Sequence, residues 1–192
     1  MTRCNSRLRA LPSSVVLIAV AALGLLRPSP AGAQSATVAA LKAAFLYNFA
    51  RFAEWPPEAV RAGQKLVLCV ANDPRVAGAL KNTVNGRVID GHELTVTSIA
   101  LNDPLESCHL AYLAGIDRNE MRRLIASLRG APILSVGDAD NFAESGGVAQ
   151  FFVEGDRMRF AINLKSADRA RLRLSSKLLA LARITKDNHD RR

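Results

Sequence analysis

Residues 66–80, Leu66-Val-Leu-Cys-Val-Ala-Asn-Asp-Pro-Arg-Val-Ala-Gly-Ala-Leu80, place a strand and a helix back to back. The expected strand spans about residues 65 to 71 and, after Lys65, is apolar and uncharged, the pattern of a strand buried on both faces. Asp73-Pro74 then opens a helix to about Leu80. The aspartate accepts from free N–H groups of the first turn, and the proline lacks an N–H that the turn could not use. A buried strand feeding directly into a helix is the unit of a parallel sheet.

The same alternation continues outward. Downstream, Asn85-Gly86 and Asp90-Gly91 are turns, and Leu94–Ile99 alternates with threonines as a half-buried strand. Asn102-Asp-Pro104 opens a turn or short helix before a strand at His109–Ala114. Residues 118–128 form an amphipathic helix through Met121, Leu124, Ile125 and Leu128, ending at Gly130, and Pro132–Val136 is a further buried strand. Val148–Val153 and Met158–Leu164, joined by Glu154-Gly-Asp-Arg157, read as an antiparallel hairpin. Ser175 caps a last helix through Leu178, Leu181 and Ile184. Upstream, residues 35–53 are the clearest helix, with Val38, Leu41, Phe45, Phe49 and Phe52 as its apolar stripe, stopped by Pro56-Pro57. The expected fold is a single-domain α/β three-layer sandwich. Its sheet is mixed and mainly parallel, with helices on both faces and an antiparallel hairpin near the C-terminal end.

Charge has to be divided before it is interpreted. The 192 residues hold 26 Lys+Arg against 17 Asp+Glu, a formal net charge of +9. Arg3, Arg7 and Arg9 precede an apolar run from Leu11 to Leu26, followed by Ala31-Gly32-Ala33. A basic segment, a short apolar segment and an A-x-A site make residues 1–33 a cleavable secretory signal, since a membrane span needs about 20 apolar residues. Its loss removes four arginines and no acid, leaving +5. Residues 165–192 hold nine Lys/Arg and three Asp, so the body of the domain, 34–186 with a frayed basic tail at 187–192, is near neutral apart from its C-terminal end. An exported chain with this layout argues against nucleic acid.

Cys4 leaves with the signal. Cys69 and Cys108 remain, and an even pair in an oxidising compartment reads as a disulfide, the alternative being two buried thiols. Catalytic chemistry is thin. His92, His109 and His189 lack metal-ligand spacing, and no nucleophile-elbow, zincin or phosphate-loop motif occurs. Asp138-Ala-Asp140 begins like a calcium loop without its later ligands. Gly146-Gly147 suits a tight turn into the next strand. These residues call for no metal, no cofactor and no enzymatic reaction.

Residues 43–57 (Ala-Ala-Phe-Leu-Tyr-Asn-Phe-Ala-Arg-Phe-Ala-Glu-Trp-Pro-Pro) resemble the N-terminal signature of the YfiR-like family of secreted bacterial proteins. Val67–Val70, Cys108–Tyr112, Pro132–Asp138, Phe142–Gly147, Phe160–Asn163 and Ser175–Ala182 continue the likeness in order, over about residues 38–184. The resemblance implies a non-enzymatic periplasmic α/β protein that represses an inner-membrane diguanylate cyclase through its periplasmic sensor portion, lowering cyclic-di-GMP signalling and biofilm formation. It also implies a homodimer, sequestration by an outer-membrane lipoprotein, and a Cys69–Cys108 disulfide. A second, more C-terminal cysteine pair of some members is absent here. For partner contacts the exposed candidates are Trp55, Phe142 and the basic edge Arg169, Arg171 and Arg173. A second reading is a small-ligand receptor using the crevice at the carboxyl ends of the strands, near Asn72, Asp73, Gly137 and Asp138.

Overall fold

The computed structural model describes residues 30–186. The described tertiary structure belongs to the compact unit that begins at Ala36. Helix α1 (Pro30–Arg51) leads into β1 (Ala53–Glu54), β2 (Leu66–Ala71) and α2 (Pro74–Val84). Strands β3 (Val88–Ile89), β4 (His92–Ile99) and β5 (Leu110–Leu113) follow, then α3 (Arg118–Ser127) and β6 (Leu134–Gly137). The hairpin β7 (Ala149–Glu154) and β8 (Arg157–Asn163) precedes α4 (Leu164–Arg169), β9 (Arg173–Leu174), α5 (Ser176–Leu179) and β10 (Arg183–Thr185). The expected leader falls outside the described residues except for its last four, which already belong to α1. The expected tail at 187–192, where two aspartates balance two arginines, also lies outside them.

Eight strands form the main sheet in the order β10-β8-β7-β6-β5-β2-β4-β3. The central run β4-β2-β5-β6-β7 is parallel throughout. β7 and β8 make the expected antiparallel hairpin, and β3 adds an antiparallel edge. The chain leaves β2 toward β4 on one side and resumes at β5 on the other, so the carboxyl ends of β2 and β5 form the switch point of an open α/β sheet. This is the predicted three-layer α/β sandwich.

Alternation along the strands assigns each side chain to one of two cores. Leu68, Val70, Leu110, Tyr112, Leu134 and Val136 join α1 and α2 on one face. Cys69, Ala71, Ala111 and Leu113 join Met121 and Ile125 of α3 on the other. Every residue of β5 and β6 is buried.

The α1 stripe differs from the predicted one by a rotation about the helix axis. Its buried residues are Ala39, Ala43, Leu46, Phe49 and Ala50, while Val38 and Leu41 remain 41% and 42% exposed. The small alanines bring the helix close to the sheet. Phe45 and Phe49 then reach Phe151 and Phe160, with centroids 5.0–5.8 Å apart between helix and hairpin. Each such pair adds about 0.5–1.5 kcal/mol to the area it buries.

Phe142 is fully buried, which corrects its expected place on a partner-binding surface. Its ring fills the space where Gly137 and Gly147 would carry side chains: a Cβ at those positions would meet it at 2.6 and 2.1 Å. The glycine pair before β7 thus serves a close approach and a tight turn.

The last predicted helix is also corrected. It spans only Ser176–Leu179, capped by Ser175 as expected, and the chain then extends as β10 beside β8. Pairing of Arg183–Thr185 with Ala161–Asn163 satisfies the outer edge of β8, a long-range gain that overrides helical periodicity.

Cys69 on β2 and Cys108 just before β5 form the disulfide, with Cα atoms 5.7 Å apart and a sequence separation of 39. Closing a loop of that length removes entropy from the unfolded chain equivalent to about 4 kcal/mol. Replacing both cysteines by alanine is expected to lower the unfolding free energy by about that amount, measured by guanidinium titration against the oxidised protein.

Candidate functional site

The carboxyl ends of β2, β5 and β6 lie side by side, as their register requires: Ala71 opposite Leu113, and Leu113 opposite Gly137. Asn72, Asp73, Gly137 and Asp138 therefore converge, as the sequence suggested. Each is already committed to the fold. Asn72 (φ 59°) donates its side-chain amide to the Ala114 carbonyl at 3.3 Å. Asp73 caps α2 by accepting from Val76 N–H at 3.0 Å. Gly137 lies against Phe142, and Asp138 accepts from Gly115 N–H at 3.2 Å.

Two residues not foreseen from sequence complete this end. Lys42 reaches down from α1 to place Nζ 2.7 Å from Asp138 Oδ2 and 2.6 Å from the Tyr112 hydroxyl. That hydroxyl donates to the same Oδ2 at 2.7 Å. Burial alone would raise the Asp138 carboxyl, but the Lys42 ammonium, the Tyr112 hydroxyl and the Gly115 amide outweigh it and hold it below the ordinary range. Burial, then the charge of Asp138, drives the Tyr112 hydroxyl far upward. One group is held ionised and the other protonated. Neither of these two is poised near neutral pH to move a proton.

A second region surrounds Trp55. β1 pairs antiparallel with β9, matching Glu54 to Arg173, and Ser175 N–H donates to Phe52 O at 2.9 Å. This ribbon holds Trp55 half-buried, its indole N–H donating to His109 O at 3.0 Å. Beside it lies a recess of about 260 Å³, floored by Trp55, Val60, Leu66 and Ile89 and rimmed by Glu54 and Asp90. Two of the three arginines belong here, and both meet acids: Arg171 pairs with Glu58, and Arg173 Nε lies 3.7 Å from Glu54. Arg169 points elsewhere, donating to Ser166 Oγ at 2.7 Å and lining a small recess with Ile125 and Leu128. The expected continuous basic edge is therefore divided, because Arg171 takes a left-handed turn (φ 56°) between α4 and β9.

Two histidines fasten the segment that carries Trp55. Val67 N–H donates to His109 Nδ1 at 2.9 Å, so the proton sits on Nε2, which donates to Ala59 O at 3.1 Å. His92 Nδ1 donates to Gln64 O at 2.7 Å. Burial, aided by the nearby His92, lowers the His109 pKa from 6.5 against the opposing Ala59 bond. Among the described residues no three His, Cys, Asp or Glu side chains are grouped to hold a metal ion, and no helix is long and apolar enough to cross a membrane.

Fold and site together define a disulfide-tied, three-layer α/β domain whose switch-point crevice is closed by its own side chains. The chain belongs to the YfiR/HmsC-like family (DUF4154), whose model matches residues 39–183. That family is regulatory and non-catalytic, periplasmic, and associated with diguanylate cyclase signalling. Among solved structures, the chain is similar to a conserved domain protein of Vibrio cholerae O1 biovar El Tor, at 17% identity and TM-score 0.46, covering 62% of this chain and 54% of that one. It is also similar to an ABC domain in complex with L-Trp from Streptococcus pneumonia, at 12% identity and TM-score 0.46, covering 62% and 55%. The matches thus span about half the length of those chains.

Lys42→Met leaves the partly buried Asp138 carboxylate without its cation and is expected to cost about 2–3 kcal/mol. Lys42→Met with Asp138→Asn should recover part of that loss, giving a favourable coupling in a double-mutant cycle. The lowered His109 pKa means that the folded state binds fewer protons than the unfolded one near pH 6. Its contribution is complete above the unfolded value of 6.5 and is lost as pH falls through the folded one. Thermal scans between pH 7 and pH 5 should show a steeper fall in Tm for the native protein than for His109→Gln.

Proposed function

We propose that this chain is exported through a cleaved leader and acts in the periplasm as a non-enzymatic repressor. It binds the periplasmic sensor portion of an inner-membrane signalling protein, a diguanylate cyclase, and so lowers cyclic-di-GMP output and biofilm formation. Membership of the YfiR/HmsC-like family across residues 39–183 carries this reading. Two features of the molecule support it. The groups at the switch-point crevice are spent on one another, whereas the Trp55 region presents an aromatic floor, a recess and exposed charges of both signs.

Repression of this kind is differential affinity. The free repressor binds one conformation of the sensor better than the other and draws the population toward it. Moving a two-state equilibrium from 1:99 to 99:1 requires a preference of about 5.5 kcal/mol. Half-buried Trp55 is the natural anchor, since aromatic residues in desolvated recesses carry disproportionate binding energy. Arg171 and Arg173 with Glu58 and Glu54 form the rim, where charge governs encounter and orientation. We further propose that the protein works as a homodimer and that an outer-membrane lipoprotein can withdraw it from the cyclase.

The test is a titration against the sensor's isolated periplasmic domain. Arg171→Glu with Arg173→Glu is expected to weaken binding about tenfold while leaving Tm within a degree or two, because exposed ion pairs contribute little to stability. Trp55→Ala should weaken it further. Unchanged affinity in both variants removes this surface from the interface, and no binding by the native protein removes the cyclase as partner.

A further inference from the structure

A wide recess lies on the sheet face opposite the one Trp55 packs against. It is a groove of about 610 Å³ between α3 and the loop joining β4 to β5. That volume is within the range of small-molecule sites, roughly 300–1,000 Å³. Its floor is apolar: Leu101 and Leu105 from the loop, Leu124 and Leu128 from α3, and Ile133 before β6. Leu105 and Ile133 are buried, while Leu101, Leu124 and Leu128 are half-buried and open to the groove.

Both walls are held in place. The disulfide ties the loop to β2, Cys108 N–H donates to Leu105 O at 2.9 Å, and Asp103 folds back on Ala100 N–H at 2.8 Å. α3 is fastened at its start by a reciprocal cap, in which Asp117 accepts from Glu120 N–H and Glu120 accepts from Asp117 N–H. A groove so braced is preformed, and a ligand need not pay to order it.

The charge around it has a sign. Asp103, Glu106 and Glu120 face a single guanidinium, that of Arg123. Asp103 and Glu120 each lend an oxygen to a backbone N–H. Among the described residues, no cation lies within ion-pair distance of Glu106. An apolar floor with an excess of carboxylates selects for an apolar body bearing positive charge.

We propose that this groove binds a small amphiphilic cation, its apolar body on the leucine floor and its ammonium or guanidinium group against Glu106. The site is separate from the Trp55 surface and does not depend on the cyclase reading.

Calorimetric titration of the purified protein with n-octylammonium and with n-octanoate tests it. The expected result is saturable one-to-one binding of octylammonium, at least tenfold tighter than octanoate. Glu106→Gln should weaken octylammonium about fivefold, and Glu106→Lys should reverse the preference between the two probes. Ser127→Trp, at an exposed lining position of α3, should fill the groove and abolish binding with the circular-dichroism spectrum unchanged. Octanoate binding as tightly as octylammonium overturns the proposal. So does native affinity in folded Ser127→Trp, an unaltered probe preference in Glu106→Lys, or no saturable binding by the native protein.

Discussion

Burial of the central parallel strands on both faces is the constraint from which the rest follows. β5 and β6 leave no side chain to water, and β2 leaves only Val67 half-buried. Such a sheet is stable only between two layers, so α1 and α2 cover one face and α3 the other. The same constraint decides the polar chemistry. A tyrosine hydroxyl at the end of β5 cannot go unpaired in that interior, and Asp138 and Lys42 meet it. The disulfide is buried in the same way, its two cysteines lying in the core on the α3 side.

The Trp55 recess lies at the other end of the strands from the Lys42–Asp138–Tyr112 cluster. There the β1–β9 ribbon, the His109 and His92 bonds and the Trp55 indole hold one segment against the sheet. The result is an aromatic side chain fixed in place beside exposed charges of both signs. The groove beside α3 lies across the sheet, and occupation of one face leaves the other open.

The fold was legible where local signals and tertiary demands agree. The apolar run at Leu66–Ala71, the Asp73-Pro74 start and the Glu154–Arg157 turn each specify their element through residues a few positions apart. Legibility failed where short segments answer to distant partners. β9, α4 and β10 are two to six residues long, below the span over which periodicity shows. β10 exists because β8 has an edge to satisfy. The α1 stripe was misread because large residues outweigh alanines in a pattern, although the alanines decide how near the helix lies. Phe142 read as a surface ring in a glycine-rich loop because only the folded chain shows that Gly137 and Gly147 make room for it. The Lys42–Asp138 pair spans 96 residues of sequence, and a lone lysine on a helix gives no sign of the carboxylate it will meet.

That pair also bears on how α1 is placed along its own axis. Alanines at 36, 39, 40, 43 and 44 make the first part of the helix nearly uniform, so there shape discriminates poorly between one seating and the next, whereas Phe45, Leu46 and Phe49 set the second part. A slide of one turn moves every side chain about 5.4 Å along the sheet. Phe45 and Phe49 would then leave Phe151 and Phe160, and the Lys42 ammonium would leave Asp138 and Tyr112 stranded. Beside the aromatic contacts the ion pair thus acts as a second detent, holding the alanine-rich end of the helix at a single position.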